Sequence, residues 1–101
     1  MYVVMNRVRV KKEWSSKFEE RFRNRTGQID KEPGFINMQI LRPDSDAAPY
    51  VVLTTWEQKS DFENWVGSDD FKLAHQNPMP KEAFDDGGGL EAFDVVIQSE
   101  K

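Results

Sequence analysis

The chain contains no cysteine and a single histidine in 101 residues. Without thiols there is no disulfide framework, thiolate zinc site, iron–sulfur cluster or cysteine nucleophile. With one imidazole, no His-rich metal cage forms within one subunit, and any imidazole chemistry runs through His75. An excess of positive charge is missing too: 14 Lys+Arg face 18 Asp+Glu, for a net charge of −4. That balance disfavours a general nucleic-acid binder, which needs a basic surface against phosphates. No apolar run approaches the roughly 20 residues that span a bilayer, so no membrane partner is expected. The opening Met1–Arg7 has no basic stretch before a long apolar run. No signal peptide is expected there, and the cytoplasm is the default location.

What is present reads as one globular domain over residues 1–101. The chain is 38% hydrophobic and 12% aromatic, too aromatic for a disordered polymer and enough for one modest core. Charge is uneven. Up to Lys31 there are nine Lys/Arg and four Asp/Glu; from Glu32 onward there are five and fourteen. The early segment is either a solvated helix face or a place for a small anionic ligand.

Hydrophobic periodicity orders the chain. Tyr2 to Val10 alternates, with Tyr2, Val4, Asn6, Val8 and Val10 on one face, which predicts a strand. Trp14, Phe18, Phe22, Arg25 and Ile29 recur at helical spacing until Pro33-Gly34 ends the run. Phe35 to Arg42 and Tyr50 to Trp56 predict two further strands around a Pro43–Pro49 loop. Ser60 and Glu63 have the spacing of a capping box that opens a short helix through Phe62, Trp65 and Val66. Gly67-Ser68 breaks it, and Ser68 caps another short helix over Asp69–Gln76, stopped by Pro78 and Pro80. Lys81–Gly89 reads as a mobile loop, and Leu90–Gln98 as the last strand. The order is the α+β ferredoxin-like βαββαβ pattern, with two helical segments on one face of a four-stranded antiparallel sheet. The other face needs a cover, and a second subunit is the expectation.

Three residues stand out. Asn6 lies mid-strand among valines, where a carboxamide needs a partner. It is either satisfied by nearby backbone or aimed as a donor into a pocket. Trp65 is a core anchor or a pocket wall. His75 is a surface residue at a helix end or a ligand. On one unbroken helix Trp65 and His75 would lie about 15 Å apart along the axis and about 80° apart around it. The Gly67-Ser68 break lets the two side chains converge.

These residues sit in a wider pattern. Asn6, Glu20–Arg25, Pro33-Gly34-Phe35, Ile40–Pro43, Trp56-Glu57, and Trp65 followed by Phe71, Ala74 and His75 together resemble the IsdG-type haem-degrading monooxygenases. Those belong to the antibiotic-biosynthesis-monooxygenase superfamily of dimeric ferredoxin-like α/β barrels. The Asn6, Trp65 and His75 set is the specific part. The resemblance implies His75 as the proximal ligand of haem iron, Asn6 as a hydrogen-bond donor on the distal side, and Trp65 pressing on the porphyrin to distort it. Phe22 and Arg25 match positions that border haem, with Arg25 either meeting a propionate or snorkelling to solvent. Gln76–Pro80 lacks the basic residues or second His that some relatives carry there, so no propionate contact is implied from that loop.

The resemblance implies a homodimeric haem oxygenase that uses haem as substrate and cofactor. With O2 and an external electron donor, a reductase or a small-molecule reductant, it would release iron and a linear tetrapyrrole. The rivals are a cofactor-free monooxygenase of aromatic polyketides or quinols and a haem-binding protein without turnover. An RNA-recognition domain shares the strand order, but the acidic balance and the missing basic–aromatic motif speak against it.

Overall fold

A computed structural model describes residues 1–25 and 27–101. Four strands, β1 (Tyr2–Val8), β2 (Phe35–Leu41), β3 (Tyr50–Trp56) and β4 (Gly89–Asp94), form one antiparallel sheet in the order β2-β3-β1-β4. Three helices, α1 (Ser15–Arg23), α2 (Lys59–Val66) and α3 (Asp69–Ala74), complete the βαββαβ order. No helix among the described residues is long and apolar enough to cross a membrane.

The register sets which side chains share a face. Tyr2, Val4, Asn6 and Val8 stand opposite Trp56, Thr54, Val52 and Tyr50 on β3. Phe35, Met38 and Ile40 continue that face on β2, and Asp94, Ala92 and Leu90 on β4. The helices cover this inner face: Trp65 joins Val4, Ile29 and Trp56 in one buried cluster, and Phe18 packs on Tyr50 at 4.9 Å between ring centroids. Trp56 is completely buried, with its Nε1–H donating to Thr54 Oγ1 at 3.0 Å. A buried indole N–H without that partner would carry a desolvation cost of about 1–3 kcal/mol. The outer face carries Val3, Met5, Val51, Leu53, Leu41 and Phe93, of which Phe93 is 48% and Leu41 39% exposed.

Several boundaries differ from the periodicity. The alternation through Val10 is real, but β1 ends at Val8, and Val10 makes only an isolated bridge to Phe84. The apolar stripe from Trp14 to Ile29 is not one helix. Trp14 ends a 3-10 turn over Lys12–Trp14, and Ile29 begins another over Ile29–Lys31. The α-helical part stops at Arg23, and the predicted span also crosses residue 26, outside the described residues. Ile29 reaches the core by a turn of its own, which periodicity alone cannot distinguish from a continued helix. β4 stops at Asp94 because, among the described residues, no strand runs beside Val96 and Ile97, which are 87% and 86% exposed. Lys81–Gly89 is partly ordered, since Ala83 is fully buried and its carbonyl accepts Lys11 N–H at 2.8 Å.

The α2 cap lies two residues earlier than Ser60. Gln58 is the N-cap, and the Asp61 carboxylate accepts the Gln58 N–H at 3.2 Å. Glu57 still belongs to the strand turn, donating its N–H to the Gly34 carbonyl at 2.8 Å, so the helix starts immediately after that bond. Gly34 itself has φ +82°, and a Cβ there would overlap the Asp61 carboxyl. Glycine is therefore required twice over, by the left-handed conformation and by the close approach of the α2 cap.

Candidate active site

Asn6 is placed by strand geometry. It lies two residues beyond Val4 on the same face of β1, about 7 Å further along, flanked across the ladder by Val52 and Leu90. Val4 is 3% exposed under Trp65, whereas Asn6 is exposed and Leu90 is 59% exposed. The helical layer therefore covers the Val4 level of the inner face and leaves the Asn6 level open. A carboxamide on a half-covered, otherwise apolar strand face can reach a ligand without first breaking a buried bond.

The second part of the site is a chain of contacts along α2 and α3. Gly67 ends α2, and Ser68 joins the two helices. Its hydroxyl donates to the Trp65 carbonyl at 2.7 Å and accepts the Phe71 N–H at 3.1 Å as the N-cap of α3. The Ser68 cap predicted from sequence is thus present, and it ties Trp65 to Phe71. Their rings meet edge to face at 5.6 Å. One turn later, Phe71 lies 4.1 Å from the His75 ring, tilted by 31°. His75 is the C-cap of α3, exposed, with Nδ1 2.8 Å from the Phe71 carbonyl oxygen. A carbonyl can only accept, so Nδ1 carries the proton in that bond. Nε2 of the neutral ring then holds the lone pair and is the nitrogen able to bind a metal.

Trp65 and His75 are therefore linked through Phe71, whose ring meets both. Trp65 is 4% exposed and is a core residue. Little of its surface is left for a ligand.

Phe22 and Arg25 stand on the neighbouring β2 side of the same inner face. They line an open cavity of about 520 Å³ with Met38, Ile40, Glu19, Arg23, Arg42 and Tyr50, on the β2 side of the inner face. That cavity does not include Asn6, Trp65 or His75. The sheet order explains the separation, since β3 lies between β2 and β1. Arg25 is also held by Asp30 at 3.1 Å.

Sequence reasoning missed the polar centre of this cavity. The Glu19 carboxylate accepts from Arg42 at 2.7 and 2.6 Å, from Arg23 at 3.1 Å, and from the Tyr50 hydroxyl. Hydrogen bonds from Arg42 and Tyr50 hold its carboxyl down at about 2, while burial and Glu19 raise the Tyr50 hydroxyl. Arg42 and Arg23 are two-thirds exposed, so water screens much of the attraction. The cluster mainly fixes α1 against β2 and β3. Because folding lowers the Glu19 pKa below its ordinary 4.5, its stabilisation is complete above that value and lost as pH falls toward 2. Urea midpoints of wild type and Glu19→Gln should differ at pH 6 and draw together only as the pH falls to about 2 and below. A gap independent of pH would show that the carboxylate charge contributes nothing.

Comparisons with known proteins agree with this fold. The family model described as antibiotic biosynthesis monooxygenase matches residues 1–77. The chain is 40% identical over 79 residues to a heme oxygenase (staphylobilin-producing) of Staphylococcus haemolyticus, covering 76% of this chain and 75% of that one. It is 33% identical over 101 residues to a heme-degrading monooxygenase of Bacillus cereus, covering 96% and 92%. Among solved structures, the heme-degrader MhuD from Mycobacterium tuberculosis, with two hemes bound in its active site, superposes with a TM-score of 0.81 at 28% identity, over 99% of this chain and all of that one. With three-quarters of its length matched by the family model and full-length relatives of the same fold, the chain belongs to the antibiotic biosynthesis monooxygenase family.

Proposed function

We propose that this protein is a haem-degrading monooxygenase that opens the porphyrin with O2 and an external reductant, releasing iron and a linear tetrapyrrole. The observation that carries the reading is the His75 imidazole, with Nδ1 engaged by the Phe71 carbonyl and Nε2 left as the ligating nitrogen. Metal-binding histidines characteristically have their second nitrogen fixed in this way. Relatives named for haem degradation, 33–40% identical, support the substrate.

Haem, held through His75, would supply the iron at which oxygen is activated. His75 holds the substrate from the α3 side. Asn6, exposed on the inner face of β1, donates a hydrogen bond on the oxygen side and steers the reacting atom toward the ring. Trp65 offers its edge to the porphyrin and bends it, while its body anchors the core. Phe22 borders the substrate from α1, and Arg25 exchanges Asp30 for a propionate, a bidentate anion suited to a guanidinium fork. The reaction runs in the cytoplasm. Residues 1–101 act as one domain.

The outer sheet face carries an apolar set, Val3, Met5, Val51, Leu53, Leu41 and Phe93, which a second copy covers to give a homodimeric barrel. A sedimentation mass near one protomer of 11.8 kDa would sink the dimer.

The test of function is an aerobic incubation of the haemin complex with ascorbate. The Soret band should decay and a linear tetrapyrrole appear by mass. A stable Soret band would make the protein a carrier; oxygen uptake with a phenolic substrate and no haemin binding would make it a cofactor-free monooxygenase. In Asn6→Ala the Soret band should form normally, with turnover slowed about a hundredfold, the usual loss for one hydrogen-bond donor to a developing charge. Wild-type turnover in that variant would remove Asn6 from the mechanism.

A further inference from the structure

We propose that Phe71 is a positioning residue for His75, holding the imidazole by both its carbonyl and its ring; this rests on His75 being the iron ligand. Three contacts carry the proposal. The Phe71 carbonyl accepts from His75 Nδ1 at 2.8 Å and from the His75 backbone N–H at 3.1 Å. The Phe71 ring lies 4.1 Å from the imidazole at 31°. Its other contact is the edge-to-face packing on Trp65 at 5.6 Å, which places Phe71 against the buried cluster of Val4, Ile29, Trp56 and Trp65.

His75 has little else to hold it. It is exposed and sits at the end of a six-residue helix, where the backbone frays readily. A hydrogen bond at Nδ1 alone leaves the imidazole plane free to swing about the Nδ1–H···O axis. A ring stacked on its face removes that freedom. Together the two contacts select the tautomer with the lone pair on Nε2 and fix the plane in which it points. The carbonyl acceptor also makes the imidazole a stronger donor to iron. Phe71 thus links a rigid core residue to a ligand on the surface.

The test compares Phe71→Leu with Phe71→Tyr, the conservative variant that keeps a ring. In the haemin-free protein, the His75 ring protons of wild type should be shifted upfield by the Phe71 ring, and the imidazole nitrogens should show Nδ1 protonated. The upfield shift should vanish in Phe71→Leu and persist in Phe71→Tyr. In the haemin complexes, Phe71→Leu should release haemin about tenfold faster, and the iron–imidazole stretch of the ferrous form should broaden or move. Phe71→Tyr should match wild type in both. An unshifted His75 ring in wild type, or Phe71→Leu releasing haemin at the wild-type rate, overturns the proposal. If Phe71→Leu does not fold, the wild-type ring-proton shift and nitrogen spectrum decide alone. His75→Ala separates the two readings. If its haemin spectrum equals wild type, ligation by His75 fails, whereas the haemin-free spectra still report the stacking.

Discussion

Haemin titrated into His75→Ala should give no Soret shift near one equivalent per subunit, and no tetrapyrrole should form when reductant is added in air. The chain has one histidine and no cysteine, so neither of the strongest nitrogen and sulfur ligands remains after the substitution. The fold should survive. His75 is exposed, and its ring is held by contacts that lie outside the buried cluster. Circular dichroism and urea midpoints should therefore stay close to wild type, since surface substitutions usually change stability by within about 0.5 kcal/mol. Imidazole added to the medium should restore part of the Soret shift, because an exposed site admits a free ligand and Nε2 is the only atom that needs replacing. A variant whose spectrum equals wild type would locate the iron ligand elsewhere and remove the central residue of the mechanism.

The fold was legible wherever periodicity and pairing coincide. β3 alternates β-branched residues and sits between two partners, so pattern and hydrogen bonding agree along its whole length. Phe93, Val95 and Ile97 keep the alternation going, yet β4 ends at Asp94, since periodicity records which side a residue faces and not whether a neighbouring strand exists. The α1 stripe misled in a related way. Ile29 is buried and correctly spaced, but it arrives by a 3-10 turn. Within the candidate site, the pairing of Trp65 with His75 was legible only as something the Gly67-Ser68 break permits; the structure supplies the reason, in the Ser68 hydroxyl and the Phe71 ring. The Glu19 cluster was not legible. It joins positions 23 and 31 residues apart, and a charged pair at that separation leaves no periodic signature. Phe71 carried a signal only through resemblance, since an apolar residue on a short helix reads as packing.

Trp65 is where stability and the proposed chemistry overlap, and two substitutions pull them apart. Trp65 is 4% exposed and packs with Val4, Ile29 and Trp56. Its replacement by Ala should cost about 3–5 kcal/mol, a large share of the roughly 5–15 kcal/mol that holds a small domain together. Lost haemin binding in Trp65→Ala would then report unfolding and nothing about the reaction. Trp65→Phe keeps an aromatic ring against Val4 and Phe71 while shortening the edge that we propose meets the substrate. This variant removes less of the buried ring than Ala, so it should lose less stability in urea than Trp65→Ala, and its Soret band should be intact because His75 is untouched. Turnover is where it should differ, falling well below wild type in protein that is fully folded and fully loaded with haemin. If the indole served the core alone, activity would follow the folded fraction in both variants, and Trp65→Phe at saturating haemin would match wild type. That result would leave Asn6 and His75 as the reacting set and reduce Trp65 to the anchor that positions Phe71.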